Sequence, residues 1–187
     1  MILKENFNYS IDEDLIHYSI INNITSEVIC GVKTDEYETV AEQISEYINS
    51  YVRMINSQIP IDELKQDYIQ YSKKLLEEYL LNNPLKSSVH NGEEKYYSIT
   101  SEKQVLLTKE ILMCQMAQLN NTEYHPSWNA TGETYSYDWT LEELMELSHE
   151  ISLFVKPKIF KQQSIEETIK NSLTAEEIMA IDISYDD

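Results

Sequence analysis

The sequence predicts an α+β protein, mostly α. An N-terminal β-hairpin and a two-helix segment come first, then a helical domain with a small aromatic β-hairpin and a long helix kinked at a proline. Three observations predict this class. Glycine and proline number only 3 and 4 in 187 residues, which favours long regular elements over turns. Apolar residues recur at steps of three or four through four windows, the mark of helices with one buried face. β-branched and aromatic residues gather in short runs before residue 33, at 96–100 and at 124–139.

The N-terminal elements come in this order. IHYSIIN (16–22) and EVICGV (27–32) are β-rich, and the polar NITS between them reads as the turn of a hairpin. A helix is expected from about Glu36 to Ser57, with Val40, Ile44, Tyr47, Tyr51 and Ile55 on one face. Pro60 breaks it, and Asp62 is placed to cap a second helix from about Glu63 to Leu81, whose face is Leu64, Tyr68, Tyr71, Leu75 and Tyr79. Asn82-Asn83-Pro84 ends that helix. The pair folds either as an antiparallel hairpin or as an extended arm that self-associates.

Residues 87–95 read as a loop and YYSIT (96–100) as a short strand. Ser101 and Gln104 have capping-box spacing and open a broadly apolar helix expected in the core, with Val105, Leu106, Leu107, Ile111, Leu112 and Met116. The run 124–139 reads as a hairpin turning at Ala130-Thr131-Gly132-Glu133. Thr140 and Glu143 cap a long helix to about Asn171, with Leu144, Leu147, Ile151, Phe154, Val155 and Ile159 as its apolar face and a kink expected from Pro157. Thr174 and Glu177 cap a last short helix, and residues 182–185 leave as an extended tail.

Charge narrows the function. Acidic residues number 33 and basic residues 14, a formal net charge of −19. Such a chain is repelled by nucleic acid and by anionic membrane surfaces, both of which need clustered Lys and Arg. No apolar run reaches the roughly 18 residues of a membrane span, and the first residues lack the basic-then-apolar pattern of a signal peptide, so synthesis and residence in a cytoplasm are expected. Cys30 and Cys114 are far apart and are expected to be reduced and buried.

No catalytic pattern emerges. His17, His90, His125 and His149 have no partner at metal-ligand spacing, and no GxSxG occurs. The adjacent acid pairs sit at helix starts and on solvated faces, where they suit the helix dipole. A non-enzymatic protein without cofactor or metal is the expectation. Two groups of aromatic residues are the candidate sites. Tyr47, Tyr51, Tyr68, Tyr71 and Tyr79 form a tyrosine-rich helix seam suited to binding a partner. Trp128, Tyr135, Tyr137 and Trp139 cluster in one hairpin, either as a sugar-binding platform or as packing that ties the hairpin to neighbouring helices. Packing is the ordinary use of such rings, and both tryptophans are expected to be buried.

Four stretches carry a family resemblance: NNPLKSSVHNGEEKYYSITSEKQ, SWNATGETYSYDWTLEELMEL, FVKPKIFKQQSIEETI and LTAEEIMAIDI. Residues from about 80 to 187 resemble a domain of unknown function found in tailed-phage and prophage tail proteins of Firmicutes. In that family a YYS(V/I)T strand, a helix, a W-N-x-T-G-E hairpin, a W-T-x-E-E-L helix and a terminal helix occur in this order. The resemblance divides the chain into an attachment or oligomerisation segment, 1–80, and a tail-associated domain, 81–187. It implies a virion tail, a baseplate or tail fibre, or a tail-like bacteriocin, with other tail proteins as partners and a homo-oligomer as a further option. It leaves open a structural part, a tail-fibre assembly chaperone or a glycan-binding module.

Overall fold

Three strands, not two, open the chain, and helices dominate the remainder: 52% of residues are helical and 13% lie in strands. The computed structural model describes residues 1–185. The elements are β1 (Phe7–Ile11), β2 (His17–Asn22), β3 (Val28–Val32), α1 (Val40–Asn56), α2 (Ile61–Asn82), β4 (Leu85–Ser87), β5 (Lys95–Tyr97), α3 (Ser101–Leu119), α4 (Leu141–Asn171) and α5 (Ala175–Met179). They form two units. One comprises Met1–Ile69 with Thr168–Ile181; the other comprises Gln70–Glu167 with the segment that begins at Asp182.

In the first unit the expected hairpin is β2–β3, antiparallel with Ile20 opposite Ile29, and β1 adds to its other side with Ile11 opposite Tyr18. The alternation Phe7, Tyr9, Ile11 is the period-two signal of that additional strand. Phe7, Tyr18 and Ile20 face a core completed by Val40, Ile44, Ile48 and Val52 of α1. Thr39 caps α1 by accepting from the Glu42 N–H at 3.1 Å, so the helix starts at Val40 and not at Glu36. Its buried row runs at strict steps of four, Val40, Ile44, Ile48, Val52 and Asn56. Such a row is inclined to the helix axis and suits a helix laid on a twisted sheet. Tyr47 and Tyr51, expected on that face, lie to the side of the row: Tyr47 is exposed, and Tyr51 is partly buried against this core.

Two polar residues lock this unit. Asn56, fully buried, accepts from the Ile2 N–H at 2.9 Å and donates to the Ile2 carbonyl at 2.8 Å, a side-chain copy of a strand pairing. Gln43 donates to the Tyr18 hydroxyl at 3.1 Å and accepts from the Thr34 N–H at 2.8 Å. The Tyr18 ring lies over Gly31, where an added Cβ would come within 2.4 Å of the ring. A Gly31→Ala substitution should therefore destabilise the protein by about 1–3 kcal/mol through forced displacement of the ring. Chemical denaturation of the variant checks this. Cys30, beside Gly31, is exposed on the outer face of the sheet, contrary to expectation, because the strand alternates and Ile29 and Gly31 take the inner face.

In the second unit β4 pairs with β5, with Ser87 opposite Lys95 and Leu85 opposite Tyr97, so part of the expected loop is strand. Thr100, and not Ser101, caps α3, accepting from the Lys103 N–H at 3.4 Å, while the Gln104 side chain donates to the Ile99 carbonyl at 2.7 Å. The capping box of α4 is present as expected: the Thr140 N–H donates to Glu143 at 2.8 Å and the Glu143 N–H donates to the Thr140 hydroxyl at 3.2 Å. α4 is continuous from Leu141 to Asn171 with Pro157 inside it. Its inward row is Leu144, Leu147, Ile151 and Val155, whereas Phe154 is half-buried and Ile159 exposed. The 124–139 hairpin is reduced to one bridge, Trp128 with Ser136, and a turn in which Gly132 takes φ +80°. Pro126 offers no N–H for a longer ladder. The tail does not simply leave: Tyr185 is buried and donates to the Ser72 carbonyl at 3.0 Å, and burial pushes its hydroxyl up to about 12.

Candidate functional site

The tyrosine seam is not one surface. α2 buries Leu64, Tyr68, Ser72, Leu76 and Leu80 at steps of four, so Tyr68 lies inside the protein and is closed to a partner. Tyr71, Leu75 and Tyr79 flank that row and are half-buried. Tyr79 is further covered by Lys158, whose ammonium sits 5.2 Å from the ring centre, and by the Tyr185 ring at 6.3 Å. Tyr47 is exposed and stacks on Tyr51 at 6.4 Å, and Tyr51 meets Phe7 edge-on at 5.6 Å. Tyr47 is the most exposed of the five, at 37%.

An exposed apolar helix face lies on α3. Leu107 and Cys114 are the buried residues of this helix, which the sequence predicts to lie in the core. Val105, Leu112 and Met116 are each more than half exposed, and Leu119 is 82% exposed. With Lys109, these residues step by four, three, four and three, the spacing of a coiled-coil seam, and Met113 flanks it. Thr108 and Gln115 lie along one side of the stripe, and Glu102, one turn before Val105, and Lys109 are the charges that share its seam. Val105 also lines a groove of about 580 Å³ with Leu76, Leu80 and Ile159. The heptad spacing is visible in the sequence; an apolar helix nevertheless reads as core because composition does not say which side of a helix meets solvent.

The hairpin rings separate by depth. Trp128 and Trp139 are buried, while Tyr135 and Tyr137 are exposed, so the four do not form a flat platform. Lys103 sits 5.2 Å from both the Trp128 and the Tyr135 ring centres, and Tyr135 meets Trp128 edge-on at 6.2 Å. Lys103 thus lies over the Trp128 and Tyr135 rings, while the Tyr137 ring stands open to solvent.

Behind Trp139 lies a polar cavity of about 230 Å³. His90 stacks flat on the indole at 4.1 Å, and Tyr97 meets its edge at 5.8 Å. The buried His90 ring is held between Glu143, 3.3 Å from Nδ1, and Asp138, 3.5 Å from Nε2. Burial pushes the Glu143 carboxyl up, but hydrogen bonds from the Thr140 N–H and hydroxyl and the Asn91 N–H outweigh it and hold the group below its ordinary value. A hydrogen bond from Ser136 holds Asp138 below the usual carboxylate range. The other three histidines are apart: His17, at the start of β2, pairs with Asp14, His125 lies beside Glu123 in solvent, and His149 is exposed on α4. No group of three or more His, Cys, Asp or Glu side chains placed to hold a metal ion occurs among the described residues. No helix among them is long and apolar enough to cross a membrane.

No protein family, characterised protein or solved structure matches this chain. The likeness of residues 80–187 to the tail-associated family rests on the sequence motifs alone.

Proposed function

We propose that this protein is a structural component of a phage tail or tail-like bacteriocin particle, associated with the baseplate or fibre, and that it works through protein–protein contacts and not by catalysis. The observation that carries the reading is the solvent-facing stripe of α3, Val105, Leu112, Met116 and Leu119. An isolated protein gains nothing from showing a heptad seam to water, whereas a subunit of an assembly covers it with a neighbour.

The occupant is an amphipathic helix of a less acidic tail protein. A second copy of this chain would bring another −19 against the first, and Lys109 interrupts the apolar seam with a cation that suits an acidic or polar position opposite. The motif order of residues 80–187 supplies the tail context. Tail parts are made in the host cytoplasm and leave in the particle, which needs no secretion signal.

A tail-fibre assembly chaperone is the second reading, since the same stripe would shield an apolar fibre surface before release. Mass spectrometry of purified particles separates the two. A band at fixed stoichiometry to the major tail proteins is expected. Presence in the lysate with absence from finished particles would replace the structural reading by the chaperone one.

A further inference from the structure

The sheet of the first unit ends at β3, since its strand order is β1-β2-β3. The Asn22 N–H donates to the Glu27 carbonyl at 2.9 Å and the Lys33 N–H to the Ile16 carbonyl at 2.8 Å, so the odd-numbered residues of this segment bond across to β2. The main chain of Val28, Cys30 and Val32 therefore points away from β2. Natural sheet edges are commonly blunted by a charge, a proline or a bulge. Val28–Val32 carries none of these: its sequence is VICGV and its register with β2 is unbroken. Val28 and Val32 are 57% and 49% exposed.

This edge is complementary to itself. Two copies of one edge strand related by a two-fold axis run antiparallel. The register in which all three outward residues find a partner is centred on Cys30 and sets Val28 opposite Val32 of the second copy. The same register sets Glu27 opposite Lys33 at both ends of the ladder, and Ile29 opposite Gly31, which has no side chain to collide with it. Glu27 is exposed, and the Lys33 ammonium donates to the adjacent Thr34 carbonyl at 3.3 Å, so both charges are at the surface for a cross-strand pair. The Val32 carbonyl accepts from the Gln43 side chain at 3.2 Å and keeps a second lone pair for the ladder. The opposite edge, β1, has Glu5 before it and Asp12, Glu13 and Asp14 after it, so the same pairing there would set acid against acid.

We infer that β3 is a self-association edge: two copies of this chain join their three-stranded sheets through β3, with Cys30 at the two-fold axis and a Glu27–Lys33 pair at each end. The net charge of −19 opposes the approach of two copies, but salt near 0.15 M screens it beyond about 8 Å, while paired strands meet at closer range. This contact involves neither the α3 face nor the tail context.

The test is analytical ultracentrifugation of the full-length protein under reducing conditions, near 0.15 M salt and from about 10 μM to about 1 mM, the range of weak, small interfaces. A monomer–dimer equilibrium is expected. Cys30→Pro removes an outward N–H that β2 does not use, a position where an edge strand tolerates proline, and should weaken the dimer about tenfold or more. Two charge variants test the register without touching the main chain. Glu27→Lys and Lys33→Glu should each weaken self-association about tenfold, because both end pairs become like-charged, and Glu27→Lys does so although it lowers the net charge. An equimolar mixture of the two should associate as tightly as the parent, since each Lys then meets a Glu. Leu112→Glu with Leu119→Glu, on α3, should leave the dimer in place. The inference is overturned if the protein stays monomeric to about 1 mM, if the mixture associates no better than either charge variant alone, or if the α3 variant abolishes the dimer while the edge variants keep it. Particle incorporation is read separately, so failure here leaves the tail assignment to its own experiment.

Discussion

Trp139→Ala should destabilise the protein by about 3–5 kcal/mol, the usual result of emptying a buried aromatic site. Trp139 is 4% exposed, stacked on His90 at 4.1 Å and edge-on to Tyr97 at 5.8 Å. Its indole N–H has no partner, so the loss is one of packing and not of hydrogen bonding. His90 would lose the surface that holds it between Glu143 and Asp138, and Glu143 is the residue that closes the N-terminal cap of α4. The damage should therefore spread from the cavity to the start of the long helix. For a chain of this length the melting temperature should fall by roughly 6–20 °C, at about 2–4 °C per kcal/mol. Tyr137→Ala is the control: the ring is 73% exposed, and its removal should stay within about 0.5 kcal/mol. A Trp139→Ala variant that melts with the parent would mean that the ring is not part of the core.

The second large effect should fall on binding and leave folding alone. Leu112→Glu combined with Leu119→Glu places two carboxylates on the α3 stripe at positions that already face water, so circular dichroism and melting should match the parent. Incorporation into particles, or co-purification with neighbouring tail proteins, should drop by about 30-fold or more, since residues at the centre of an interface commonly contribute about 2 kcal/mol or more each. Two new charges also raise the net negative charge, and Leu153→Glu, on an exposed site of α4, controls for that term alone. Normal incorporation of the double α3 variant would remove this face from the proposal. A loss produced equally by Leu153→Glu would assign the effect to charge.

Parts of the fold are legible in the amino-acid order because their signals are local. The caps at Thr140–Glu143 and Thr174–Glu177 are written in residues three apart, and both are present. The β2–β3 hairpin announces itself by β-branched runs around a polar turn. Even β1, absent from the expected elements, carries its own alternation, Phe7, Tyr9, Ile11, obscured by charged neighbours. Burial of Trp128 and Trp139 accords with the general use of aromatic residues to hold a small hairpin.

The candidate site is less legible, because facing is not a local property. On α1 and α2, steps of three and steps of four each give an apolar row. The tertiary structure buries the four-step rows, and this turns Tyr47 outward and takes Tyr68 inward. On α3 the same chemistry that reads as core becomes a solvent-facing stripe, since burial depends on what packs beside the helix. The polar cavity joins His90 from the loop after β4, Tyr97 from β5 and Trp139 from just before α4, residues up to 49 positions apart that no spacing rule connects.

Residue identity and near neighbours thus sufficed for the fold class and most helix starts. Each depends on a residue's own chemistry or on partners within one or two turns. Which apolar rows lie inside, which stripe is left for a partner, and which polar atoms meet at the cavity came from tertiary packing alone. Those outcomes depend on the competition of distant segments for the same buried surface, and that competition is settled by packing density and hydrogen-bond satisfaction across each unit.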